Sequence, residues 1–353
     1  MKIISKLAGV TVLALAIGAT AAVAEEKVMV YAGSGGTVKD SIEKIFVPPF
    51  TKETGIRFDY VAAESDVLPQ MEAMSKAGTM LWDAAELSAD AFPNAVKRGL
   101  LEKIDYSLAD PKNELPPEAK REYGIVYASY SDVLVQRLDK NPAGKKMTSW
   151  KDFWDVKTFP GPRSLYKSPE YNLEFALLAD GVEPSKLYDV LGTEEGLDRA
   201  FHKLDEIKPY IPVWWESGAQ SVQLLSDGEV FYSTTYNGRV NKLKDSGIPA
   251  EIVWNGGALH LTMIGIPKGA PHPAEAYAYL KFRNQRPDLA SEYVKVLPYP
   301  DFTHGLFERM DPALAKTMPT YPANAAVQFV PNEDWWADHL DQIQERFDEW
   351  LLK

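Results

Sequence analysis

Cysteine is absent from all 353 residues. That removes a disulfide framework, a thiolate zinc site and a cysteine nucleophile together. It also removes the residue on which a bacterial lipid anchor is built. Histidine is scarce: His202, His260, His272, His304 and His339 never fall at a ligand spacing such as H-x-x-x-H, so no metal site is expected. No G-x-S-x-G elbow occurs. Positive charge is outweighed, 38 Lys and Arg against 50 Asp and Glu for a net −12, which argues against nucleic acid as a partner. Long apolar runs are missing beyond the N-terminus. The run there, Leu7 to Ile17, follows Lys2 and Lys6, precedes Ala22-Val23-Ala24, and is too short to cross a bilayer. It reads as a secretory signal peptide, residues 1–24, cleaved after Ala24. The expectation is a free, exported protein of a Gram-negative periplasm.

What is present is the composition of a globular chain, 45% hydrophobic and 25% charged, long enough for two domains. Val28 to Ala32 is a β-rich run that leaves through Gly33-Ser34-Gly35-Gly36, and from Thr37 a helical period begins that Pro48-Pro49 should interrupt. Strands at Ile56–Val61 and Trp82–Leu87 alternate with helices at Val67–Lys76 and Ala89–Arg98. That rhythm predicts a parallel α/β sheet. Extended segments follow at Ile125–Tyr130 and Val133–Val135, after which the α/β rhythm restarts and runs to a terminal amphipathic helix at Glu333–Leu352. Two α/β lobes with a cleft between them are expected, with ligand at the carboxyl ends of the strands.

The glycine-rich turn fails as a dinucleotide fingerprint, because the third glycine position is Val38, and it lacks a P-loop lysine, so no cofactor is expected. It suits an anion better, with Ser34, Gly35 and Gly36 offering hydroxyl and backbone donors at a helix N-terminus. In Phe231–Arg239 a β-rich run ends in polar residues and an Asn-Gly turn, which sets Tyr236 and Arg239 at the cleft. Arg163, after Pro160-Gly161-Pro162, opens another strand and can face the same space.

The order of these pieces resembles the periplasmic solute-binding proteins of the spermidine/putrescine type, which serve ABC transporters. Val28-Met29-Val30-Tyr31 with its turn, Trp82-Asp83-Ala84-Ala85, Ser149 to Trp154, Tyr236-Asn237-Gly238-Arg239 and Gly265 to Pro271 carry the likeness. It implies a two-lobed fold of the type II periplasmic binding class, with hinges near Ala128–Val135 and Val253–Leu261. The first lobe is expected at 25–130 and 256–300, the second at 131–255 and 301–353. It also implies a monomer without enzymatic activity that closes on a small solute and docks on a membrane permease.

One departure matters. In polyamine binders the last position of the turn resembling Tyr236 to Arg239 is typically an aspartate. A ligand cation about 4 Å from a guanidinium meets repulsion of roughly 4 kcal/mol at a dielectric near 20, about a thousandfold in affinity. A carboxylate there gains about 1.5–3 kcal/mol. The expected ligand is therefore a small carboxylate, clamped by Arg239 with Arg163. Tyr236, Trp82, Trp215 and Trp254 are candidates to pack on its apolar part, and Ser217 and Gln220 to add hydrogen bonds. The competing expectations are a polyamine binder using Glu64, Asp66, Asp83, Asp90 or Glu216, and an exported carbohydrate hydrolase working through two carboxylates.

Overall fold

The computed structural model describes residues 27–63 and 67–353. The expected signal peptide and its cleavage point lie outside the described residues, as do Glu64 and Asp66. Among the described residues nine strands form: β1 (Val28–Gly33), β2 (Arg57–Ala62), β3 (Ala84–Leu87), β4 (Lys120–Arg121), β5 (Gly124–Arg137), β6 (Arg163–Tyr166), β7 (Val213–Trp215), β8 (Tyr232–Tyr236) and β9 (Ala250–Gly265). They lie in the order β2-β1-β3-β9-β5-β8-β6-β7, with β4 attached to β5.

Two long antiparallel strands join the lobes. In the first lobe, β1 pairs in parallel with β2 and β3, and β3 pairs with the end of β9 at Met263 to Gly265. In the second, β8 pairs with the far end of β5, Asp132 to Gln136, and β6 lies parallel to β8 and β7. Between these regions β5 and β9 pair with each other, and the register shifts between Val126 and Ala128 and again between Asp132 and Leu134. Such irregularities bend a strand and increase its twist. They fall where the chain passes from one lobe to the other.

Each lobe packs helices on both faces of its sheet, and the two-residue period of the strands decides which face. Met29 and Tyr31 join one core cluster of the first lobe, whereas Ala32 and Val30 join the other. In the second lobe Leu134 points to one cluster and its neighbours Val133 and Val135 to the opposite one. The terminal helix Glu333–Leu352 sets Trp336, Ile343, Phe347 and Trp350 into the second-lobe core.

The helix that begins at Thr37 ends at Ile45, just before Pro48-Pro49, and the two prolines then sit in the first turn of a second helix, Val47–Thr54. Proline is tolerated in a first turn because its missing N–H has no intrahelical partner there. One expectation needs correction: the second lobe does not resume at 301. Leu306, Met310, Ala315 and Met318 pack in the first-lobe core with Met29, and Phe329 is the residue that rejoins the second. The chain crosses beside β9, where Gly256 N–H donates to Val327 O and Leu259 N–H to Phe329 O, each at 2.8 Å.

Candidate ligand-binding site

A cavity of about 270 Å³ opens between the lobes at the crossing strands. From the first lobe it receives Ser34, Val38 and Glu86, together with Tyr293 and Tyr299. The crossing strands supply Tyr127, Ala128, Tyr130 and Thr262, and the second lobe Tyr236 and Arg239.

Arg239 ends the short 3₁₀ turn Asn237–Arg239 that follows β8. The turn is fixed from behind: Asn237 is buried and its Oδ1 accepts the Ser131 N–H at 2.8 Å. Pairing of β5 with β8 sets Tyr236 opposite Asp132. The Tyr236 ring is then held edge-on by Tyr130 and Trp215, each with centroids 5.7 Å away. Arg239 Nε is buried without a hydrogen-bond partner, and among the described residues no carboxylate lies within ion-pair distance of its guanidinium. A buried donor left unpaired costs about 1–3 kcal/mol.

Across the cavity the sign reverses. Glu86 sits on β3 and is buried. Ser34 Oγ donates to its Oε1 at 2.6 Å and Ser34 N–H to its Oε2 at 3.2 Å, while Tyr60 donates to Ser34 O at 2.6 Å. Burial, and then the Glu86 carboxylate, push the Tyr127 phenol well above its ordinary range. Burial, then Asp132, raises Tyr236 as well, so both stay neutral donors. The cavity thus has a carboxylate on one wall, a guanidinium on the other, and tyrosine rings between.

Of the residues singled out in the sequence, Ser34, Tyr236 and Arg239 meet here, but Ser34 plays another part than expected. Its hydroxyl and N–H are both committed to Glu86, so it holds an acid and is not free to receive an anion. Gly35 and Gly36 lie outside the lining; Gly36, at φ 58°, turns the chain into the helix Thr37–Ile45.

Arg163 does not reach the cavity. It is fully buried, with Nε donating to Phe153 O at 2.7 Å and its two terminal nitrogens to Gly161 O and Phe159 O at 2.5 Å. The Pro160-Gly161-Pro162 bend turns main-chain carbonyls inward, and the guanidinium satisfies them. Trp82 is buried in the first-lobe core. Trp254 packs in the second-lobe core, and Trp215 lies behind Tyr236 with its Nε1 donating to Thr234 Oγ1 at 3.0 Å. Ser217 caps the helix Gly218–Asp227 by accepting the Gln220 N–H, and Gln220 Oε1 accepts the Glu216 N–H at 2.8 Å. Both serve that helix end, and neither lines the cavity.

Among the acids weighed for an amine, Asp83 accepts the Val30 and His272 N–H groups at 2.7 and 2.6 Å, and Glu216 pairs with Lys167. Asp90 lines a smaller adjoining cavity of about 190 Å³ with Asp132, Glu170, Tyr166 and Tyr171, sharing Tyr130 and Tyr236 with the first. Behind Tyr130 lies buried His260, its ring stacked at 4.7 Å, with Asp132 at 3.3 Å and Glu333 at 3.6 Å. Burial opposes the imidazolium, but the two carboxylates prevail and lift His260 to about 9. Glu170 is pushed up to about 7 by burial, then by Glu333 and Glu174. Sequence reading missed Glu86. The available signal was a single acid inside Ala84–Leu87, a run buried along its whole length.

Comparison with known proteins agrees with this architecture. Residues 46–339 match the family model for bacterial extracellular solute-binding proteins. A gamma-aminobutyric acid-binding protein from Pseudomonas aeruginosa is 33% identical over 336 residues, 95% of this chain and 94% of that one. The structure of the binding protein AttC from Agrobacterium tumefaciens C58, in an open unliganded conformation, overlaps with a TM-score of 0.82 at 26% identity, covering 92% of this chain and all of that one (100%). The A. tumefaciens B6 binding protein MotA, in complex with glucopine, overlaps at 0.70 despite 31% identity, covering 92% and 99%.

Proposed function

The chain belongs to the bacterial extracellular solute-binding proteins, and from that premise we propose that it captures a small zwitterionic amino carboxylate between its lobes and delivers it to an ABC importer. The observation that carries this reading is the opposed pair, Arg239 on the second lobe and Glu86 on the first, in one cavity lined by tyrosines. Arg239 takes the carboxylate, in a charge-assisted bond worth about 1.5–3 kcal/mol. Glu86, kept in place by Ser34, takes the ammonium. Because the two walls belong to different lobes, a ligand that satisfies both favours closure. The gamma-aminobutyric acid bound by the Pseudomonas relative has this chemistry, a carboxylate and an amine separated by methylenes. The protein works outside the cytoplasm, and its role is transport without turnover.

One observation favours a second reading, a polyamine: the adjoining cavity carries three acids, Asp90, Asp132 and Glu170, among tyrosines. A thermal-shift panel of 4-aminobutyrate, butyrate, succinate and 1,4-diaminobutane separates the two. A ligand at a hundred times its Kd adds about 2.7 kcal/mol to stability, enough to raise Tm visibly. The zwitterion reading expects the largest rise with 4-aminobutyrate. A rise with the diamine alone overturns it in favour of the acidic chamber.

A further inference from the structure

Resting on the carboxylate clamp just described, we propose that Gly218 is a positioning residue: its missing side chain sets where the Arg239 guanidinium stands and thereby which chain length of amino acid the cavity accepts. Gly218 is buried and opens the helix Gly218–Asp227. A Cβ at this position would meet Arg239 Nε at 2.5 Å, Tyr236 Cδ2 at 2.6 Å and Arg239 Cδ at 2.9 Å. The backbone itself does not require glycine here, since Gly218 is not among the glycines with positive φ, whereas Gly228 at the other end of the same helix has φ 75°. Glycine is also a poorer helix residue than alanine. The reason for glycine is therefore the close approach of Arg239 and Tyr236 across it.

A side chain at 218 would press on both neighbours, so the Tyr236 ring, edge-on to Tyr130 and Trp215, must shift and the Arg239 side chain must move off the glycine. Arg239 Nε has no partner to hold it. The space open to the displaced guanidinium is the ligand cavity that it already lines. An added methyl group thus pushes the clamp toward Glu86 and shortens the span between the two charges.

The test is calorimetric titration of the wild type, Gly218→Ala, Arg239→Gln and the double variant with glycine, 3-aminopropanoate, 4-aminobutyrate and 5-aminopentanoate, with Tm recorded for each protein. Gly218→Ala is expected to lower Tm through its contact with Tyr236, to bind the wild type's best ligand at least tenfold more weakly, and to move its preference to a shorter member of the series. In the Arg239→Gln background the same change should have no further effect on affinity, because Gly218 acts through that arginine. The proposal is overturned if Gly218→Ala binds within twofold of wild type with the same length ranking. An equal loss of affinity in both backgrounds also overturns it, because it places the effect on Tyr236 and not on Arg239. If Arg239→Gln binds as the wild type does, or the wild type binds none of the four, the clamp itself is refuted and this inference falls with it.

Discussion

Replacing Glu86 with Gln should abolish the preference for an amine while sparing the recognition of a carboxylate. Glu86 is 8% exposed, so a ligand ammonium beside it is largely shielded from solvent and salt. A hydrogen bond between that ammonium and a carboxylate contributes about 1.5–3 kcal/mol, a factor of roughly 10–150 in Kd. The substitution also disturbs Ser34, which donates to both Glu86 oxygens at 2.6 and 3.2 Å, because the glutamine amide retains a single acceptor. That cost falls equally on any ligand. It cancels when 4-aminobutyrate is compared with butyrate, identical but for the amine. Titration calorimetry at pH 7 and 0.15 M salt should show wild-type protein binding 4-aminobutyrate at least tenfold more tightly than butyrate. In Glu86→Gln the two dissociation constants should come within about threefold. An unchanged ratio would refute the assignment of Glu86 to the ammonium, whatever happened to the absolute affinities.

Arg163→Met leaves three carbonyls without their donor, those of buried Phe153 and Phe159 and of half-buried Gly161. It should cost at least about 3 kcal/mol in urea unfolding while changing ligand affinity less than twofold, the reverse of the pattern expected for Arg239→Gln. Stability should also fall as pH rises. Burial raises Glu170 and Glu174 from 4.5 to about 7, and His260 is carried from 6.5 to about 9 by Asp132 and Glu333 against its burial. All three bind protons more tightly folded than unfolded, so their stabilisation is complete below the unfolded values and is lost through pH 7 for the acids and pH 9 for the histidine. Scanning calorimetry should show Tm dropping by several degrees between pH 5.5 and 9.5. Glu170→Gln, which removes a penalty of at most about 3 kcal/mol at pH 8, should raise Tm there and flatten the slope between pH 5.5 and 8.

Elements governed by a local rule could be read from sequence. The terminal helix was expected and found at Glu333–Leu352, because apolar residues at helical spacing need only one partner surface. Tyr236 and Arg239 were legible because turn chemistry ends a strand at a known place, and in α/β lobes that place is a cleft. Direction was not legible. Arg163 has the same charge as Arg239 and also sits at a strand end, yet it turns back on the carbonyls of its own proline-flanked bend. A pattern of residue types does not say which way a four-carbon-long side chain folds. The tryptophans misled for a related reason: burying so large a ring stabilises a core strongly, so each is claimed by packing unless the fold leaves it a cavity to face. Glu86 shows what a better reading would have weighed. A carboxylate in a strand buried at every position is unfavourable unless a partner meets it, and Ser34 meets it only in part. The acid on β3 and the arginine after β8 are distant in sequence, and each is incompletely paired within the chain. They share one cavity, where the proposed ligand of two charges would meet both, which neither position could announce alone.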